Sequence, residues 1–159
     1  MGRGVAIGIV IDGKLYYGKN GFAGEFGHIP FFDNEIICGC GKKGCLETEV
    51  SGIAIEDKIV HLIKNGVNTC LREMYDRGES IHINDIIAAA RNDDNLAIEL
   101  IEEAGEKVGK ARALVVIANG SHNSGYLICL HAHIIKDTER HNCAALRVVH
   151  AVYKISYIV

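Results

Sequence analysis

No apolar run in this chain approaches the roughly 18–20 residues needed to cross a bilayer, and the opening MGRGVAIGIVIDG turns polar too soon for a secretory signal. A cytoplasmic chain with no membrane partner is the expectation. Basic clusters are missing as well: 17 Lys and Arg stand against 20 Asp and Glu, a formal net charge of -3. Without concentrated positive charge this segment has no electrostatic hold on a nucleic-acid backbone. Proline occurs once, at Pro30, while 48% of residues are apolar and 23% charged. That balance excludes a disordered chain. A length of 159 residues suits one hydrophobic core and one α/β domain.

Cysteine is not scarce, and its placement is informative. Cys38, Cys40 and Cys45 fall within one short segment, whereas Cys70, Cys129 and Cys143 stand alone. In a cytosolic chain such a cluster points to a metal site rather than a disulfide frame.

Along the chain, GVAIGIVI followed by Asp12-Gly13 and KLYYG predicts a β-hairpin, the D-G pair suiting a type I′ turn. Gly18, Gly21, Gly24 and Gly27 then recur through a segment shaped by close approach of backbone to another part of the molecule. After the cysteines the period becomes helical. Ile55, Ile59 and Leu62 share a face between a Ser51 N-cap and a Gly66 stop. Further helices are predicted over 67–77 and 83–90. A longer helix follows Asp93 and Asp94, with Ala97, Leu100, Ile101, Ala104, Val108 and Ala111 on one face. The run ALVVIA, residues 113–118, predicts a buried strand leading into the polar loop NGSHNSG, the order in which an α/β sheet presents its C-terminal edge to a ligand. YLICLHAHIIKD suits a helix with a buried face, and the tail after it is open between helix and strand.

His28 with Cys38, Cys40 and Cys45 supplies four ligands for a closed tetrahedral zinc site, and Gly39, Gly41 and Gly44 make the tight wrap feasible. With no position left for water, such an ion is structural. The alternatives are reduced buried thiols or a zinc hydrolase. The second needs an open coordination position and a base, and Glu47 is only nearby in sequence. His131 and His133 are a weaker pair, with no Cys, Asp or Glu placed beside them.

GFAGEFGHIP followed by CGCGKKGCLETEVSG resembles the signature of the ROK family of repressors, open reading frames and kinases. The resemblance runs over about residues 2–120. It implies an incomplete actin-like, ribonuclease H-like ATPase lobe with a mixed sheet, packed helices and a zinc-bound loop. Residues 1–125 would form the C-terminal ROK-type lobe, and 126–159 an atypical tail packed on the same domain. His28, Cys38, Cys40 and Cys45 resemble the family's zinc ligands. Glu25, His28 and Glu47 resemble its sugar-contacting residues, with His28 serving twice, one ring nitrogen on the metal and the other toward a sugar hydroxyl. The plainer reading of Glu25 and Glu47 is as solvated or helix-start carboxylates.

Gly2, Gly4 and Gly8 resemble the family's phosphate-facing turn, and VVIANG to Gly120 resembles its adenosine-side element. Both depart from the pattern: Arg3 replaces a Thr, and Ala6, Ala118 and Asn119 replace glycines. The family's catalytic Asp and first phosphate loop have no counterpart among these residues, and the link joining the long helix to the following strand is short by about a dozen residues. Zinc is the implied cofactor, with ATP and magnesium only if the parent protein is a kinase. The resemblance implies the sugar-binding regulatory lobe of a ROK-type repressor. Its alternatives are the C-terminal lobe of a glucokinase or N-acetylhexosamine kinase, inactive alone, and a degenerate fragment. A sugar ligand and association with copies of itself are the implied partners.

Overall fold

The computed structural model describes residues 4–11, 14–118 and 126–131. Strand β1 (Ala6–Ile11) turns back into β2 (Lys14–Leu15), with Val10 opposite Leu15 and Ile11 opposite Lys14. This is the predicted hairpin. Its turn residues, 12 and 13, lie outside the described residues. Strand β3 (Tyr126–His131) runs antiparallel along the other side of β1, placing Ala6 opposite His131 and Ile11 opposite Tyr126. The sheet order is β2-β1-β3. Residues 126–131 are therefore strand, where a helix had suited the sequence. Pairing with β1 satisfies the N–H and C=O groups that this central strand would otherwise leave open. The tail beyond His131 is outside the described residues.

Among the described residues five α-helices follow one another between β2 and β3: α1 (Glu47–Val50), α2 (Gly52–Lys64), α3 (Arg72–Asp76), α4 (Ile83–Arg91) and α5 (Asn95–Ala118). Ser51 breaks α1 from α2 with extended backbone, and its hydroxyl accepts the Ala54 N–H at 3.2 Å. That is the predicted N-cap. The helix stops at Gly66, whose φ of 88° suits a residue without Cβ. Ile55, Ile59 and Ile63 face inward, so Ile63 takes the place that the sequence had suggested for Leu62.

The helix predicted over 67–77 is confined to α3. Asp94 accepts the Thr69 hydroxyl and the Cys70 N–H, both at 2.8 Å, and the Arg72 guanidinium donates to the carbonyls of Ile63 and Val67. These bonds hold residues 67–71 as a turn against the ends of α2 and α5. The strand predicted for residues 113–118 is overturned too, because they form the last turns of α5. No Gly or Pro separates Ala111 from Ala118. An established helix gains a hydrogen bond with each added residue, which outweighs the modest strand preference of Val115, Val116 and Ile117.

The core lies where α2, α4 and α5 meet. Ile59, Ile86 and Ala97 are fully buried there, beside Leu100, Ala104, Val108 and Ala111 of the predicted α5 face. Leu46 and Val50 join it from α1, and Val5 and Phe26 from the loop side. Each large aliphatic side chain buried here contributes about 1.5–3 kcal/mol.

Asp94 closes this helical unit, accepting the Ala97 N–H at 3.0 Å as well as the bonds from 69 and 70. Burial alone would raise its pKa, but the donors from Ala97, Cys70 and Thr69 hold the carboxyl below its ordinary value. A depressed carboxyl stabilises the fold fully above its unfolded value, near ~3.9, and that contribution is lost as pH falls through the lower folded value. Asp94→Ala is predicted to cost about 1–2 kcal/mol at neutral pH. In urea melts of both proteins the difference should shrink below about pH 4; a pH-independent difference would contradict the assignment.

Candidate metal centre

The site grows from the backbone of Val5. Its C=O accepts the Gly27 N–H at 2.9 Å, and its N–H donates to Glu47 Oε2, also at 2.9 Å. Two residues on, Ile7 N–H donates to the Gly24 carbonyl at 2.9 Å. The glycine-rich segment is thus laid directly along the start of β1. A Cβ on Gly24, already at φ 95°, would sit 2.0 Å from the Ile7 oxygen, so the close approach predicted from the glycines is real. Phe26, buried at the head of a single 3-10 turn over Phe26–His28, anchors the chain and presents His28 beside it.

From His28 the chain makes a loop and returns. Phe31 and Phe32 both donate to the Gly44 carbonyl, at 2.7 and 3.0 Å, and Leu46 N–H donates to Ile29. Short bridges join Pro30 to Cys45 and Ile37 to Lys43. Gly44 has φ 69°, and a Cβ there would lie 1.9 Å from the Phe32 oxygen. Around Gly39, in contrast, nothing lies within 4 Å, so that glycine plays no such part in the wrap.

This path brings together the four residues singled out by spacing. The ligand atoms of His28, Cys38, Cys40 and Cys45 all lie within 4.8 Å of one another. Cys38 Sγ is 3.4 Å from His28 Nδ1, and Cys40 Sγ is 3.6 Å from Cys45 Sγ. A tetrahedron with metal–sulfur bonds of about 2.3 Å and metal–nitrogen bonds of about 2.0 Å has edges of roughly 3.5–3.8 Å. The donor set and its spacing therefore fit one tetrahedral ion. Cys38 and Cys45 are buried and Cys40 is exposed. Burial, reinforced by the neighbouring Cys40 and Cys38, pushes the Cys45 thiol up to about 12. At Cys40 the Lys42 backbone N–H is the main cause that draws the thiol pKa down. Protonated, Cys45 donates its S–H toward the His28 carbonyl at 3.6 Å.

The carboxylates flank this cluster. Glu25 Oε2 is 3.6 Å from His28 Nε2, on the ring edge opposite the thiols. Glu47 begins α1 and reaches back to Val5, so both acidic residues are placed by residues 5–7, where the chain enters β1. Gly4 lies against the Glu47 carboxylate, and Gly8 sits within β1 opposite Cys129. Gly2 and Gly120 are outside the described residues.

Sequence reasoning missed a second group behind the loop. Asn34 Nδ2 donates to Glu49 Oε1 at 2.6 Å, and Lys107 of α5 bridges Glu49 and Glu103 while lying 5.4 Å from the Phe32 ring centroid. The i,i+4 spacing of Glu103 and Lys107 is the group's one local signal, and the long-range partners carry none.

The ROK family pattern matches residues 1–122. The chain is 38% identical over 114 residues to the N-acetylglucosamine repressor of Escherichia coli O6:H1, covering 72% of this chain and 27% of that one. It also resembles the solved structure of a ROK family transcriptional regulator, a homologue of the E. coli MLC protein, with TM-score 0.65 and 40% identity over 72% of this chain and 28% of that one. A ROK family glucokinase from Streptomyces griseus, solved with glucose and AMPPNP, gives TM-score 0.63 and 30% identity over 74% of this chain and 39% of the other. The chain thus spans about a quarter to two-fifths of the length of these relatives.

The cluster is predicted to take up one Zn²⁺ or Co²⁺ per chain. Because protons compete for the same sulfurs, apparent affinity should rise with pH. Cobalt thiolate absorption reads both the stoichiometry and the pH dependence. Cys45→Ser should lower affinity at least tenfold; unchanged cobalt uptake by that variant would remove Cys45 from the ligand set.

Proposed function

This chain belongs to the ROK family, and from that premise we propose that it is the sugar-recognition part of a ROK-type transcriptional repressor. In this reading it corresponds to the C-terminal, actin-like lobe of such a protein. Zinc, the ion best matched to three thiolates and an imidazole, is held structurally by His28, Cys38, Cys40 and Cys45. It fixes the loop that carries the sugar contacts and takes no part in chemistry.

The carrying observation is the two-sided position of His28. Nδ1 faces the thiols, so with metal there the ring proton resides on Nε2, 3.6 Å from the Glu25 carboxylate. That gap is too long for a direct hydrogen bond. In this reading a sugar hydroxyl set beside the pair accepts from Nε2–H and donates to Glu25. Glu47 accepts from a second hydroxyl. No proton leaves the sugar, and binding alone is the output, which is what a sensor requires.

A second reading, the C-terminal lobe of an ATP-dependent sugar kinase, is supported by the likeness to the glucokinase. ATP and magnesium enter only there, with Gly2, Gly4, Gly8 and Gly120 toward the nucleotide. Self-association through this lobe belongs to either reading.

The test is calorimetric titration of the zinc-loaded chain with glucose, N-acetylglucosamine, N-acetylmannosamine and xylose. One sugar should bind, and Glu25→Gln should weaken it by roughly ten- to a hundredfold, the worth of a charged hydrogen bond. Zinc content should stay at one per chain. Binding by none of the four, or undiminished binding by Glu25→Gln, would sink this assignment of the site.

A further inference from the structure

The Glu47 carboxylate lies where the side chain of residue 4 would be. A Cβ built on Gly4 falls 2.6 Å from Oε2 and 3.5 Å from Cδ of Glu47. The same Oε2 accepts the Val5 N–H at 2.9 Å, so the carboxylate packs against the Gly4–Val5 peptide. Among the described residues no hydrogen-bond donor reaches Oε1. Oε2 is thus anchored on Val5, just ahead of β1, and in the sugar-site reading Oε1 is the atom that meets the ligand.

We propose that Gly4 is a positioning residue for Glu47, and that it serves the sugar-facing carboxylate rather than a nucleotide phosphate. The proposal rests on the sugar-site reading above and gives its specificity a backbone origin. Among the described residues, what an alanine at position 4 would meet is the free end of a flexible side chain. The contrast with Gly24 and Gly44 is sharp, since a Cβ at either would strike a backbone oxygen, at 2.0 and 1.9 Å. Substitution at those two threatens the loop itself. At position 4 it moves one carboxylate and leaves the fold intact. Displaced from Val5, Glu47 loses the bond that fixes its orientation, and its outer oxygen no longer meets the second hydroxyl of a sugar whose first is held by Glu25 and His28.

The experiment compares the zinc-loaded wild-type chain with Gly4→Ala and with Gly109→Ala, a control whose added methyl meets nothing within 4 Å. Two quantities are read: affinity for whichever sugar of the panel binds, and hydrogen exchange of the Val5 amide by NMR. Gly4→Ala should weaken sugar binding about tenfold or more and speed Val5 exchange, with zinc still at one per chain and the control matching wild type. Wild-type affinity together with wild-type Val5 protection in Gly4→Ala overturns the proposal. So does loss of AMPPNP binding with sugar affinity and Val5 exchange unchanged, which would return Gly4 to a phosphate. If the wild-type chain binds no sugar, the sugar-site reading fails separately. Val5 exchange in Gly4→Ala then still decides whether this glycine positions Glu47.

Discussion

The site depends on the backbone of one buried residue. Val5 gives its carbonyl to Gly27 and its N–H to Glu47, while its side chain enters the core. Two segments separated by a long loop are thereby registered on the residue that leads into the first strand. Neither bond is strong alone, a typical net contribution being about 0.5–1.5 kcal/mol. Their value lies in position: one bond draws the turn that carries Glu25 and His28 to Val5, and the other draws Glu47 to the same residue. An error in the register of β1 would separate them.

The His/Cys cluster is tied to the helical core at both ends of its loop. Phe26 is buried two residues before His28, and Leu46 is buried immediately after Cys45. The outer part of the loop is steadied from behind, by Asn34 on Glu49 and by Lys107 between Glu49, Glu103 and the Phe32 ring. Lys107 is only 19% exposed, so its ion pairs are less screened than ordinary surface pairs. The cluster therefore sits on a support that extends from the sheet to α5.

Much of this was legible in the sequence where a feature is local. The hairpin, the Ser51 cap, the inward face of α5 and the grouping of His28 with Cys38, Cys40 and Cys45 each follow from spacing within one segment. Reading failed where distant partners decide. Residues 67–71 are a turn because Asp94 and Arg72 bind them across the unit, and no local pattern announces that. Residues 113–118 became helix because α5 already existed beside them, although Val and Ile suit a strand equally well. Strand β3 needed the open side of β1 to define it. Glycine was the most ambiguous letter. Gly44 and Gly24 are demanded by backbone contact, Gly4 faces a carboxylate and Gly39 faces nothing, yet all four look alike in the sequence.

The loop from His28 to Cys45 closes over a separation of 17 residues. An ion held at both ends of it is a cross-link, and a cross-link acts on the unfolded chain as well as on the folded one. Tying a stretch of that length removes conformational freedom on the order of 3 kcal/mol by the chain-entropy estimate for a covalent bridge. To the extent that unfolded chains retain the ion, the metal lowers the entropy of the state from which the protein folds. Part of the rigidity of the site is then imposed before the site has formed.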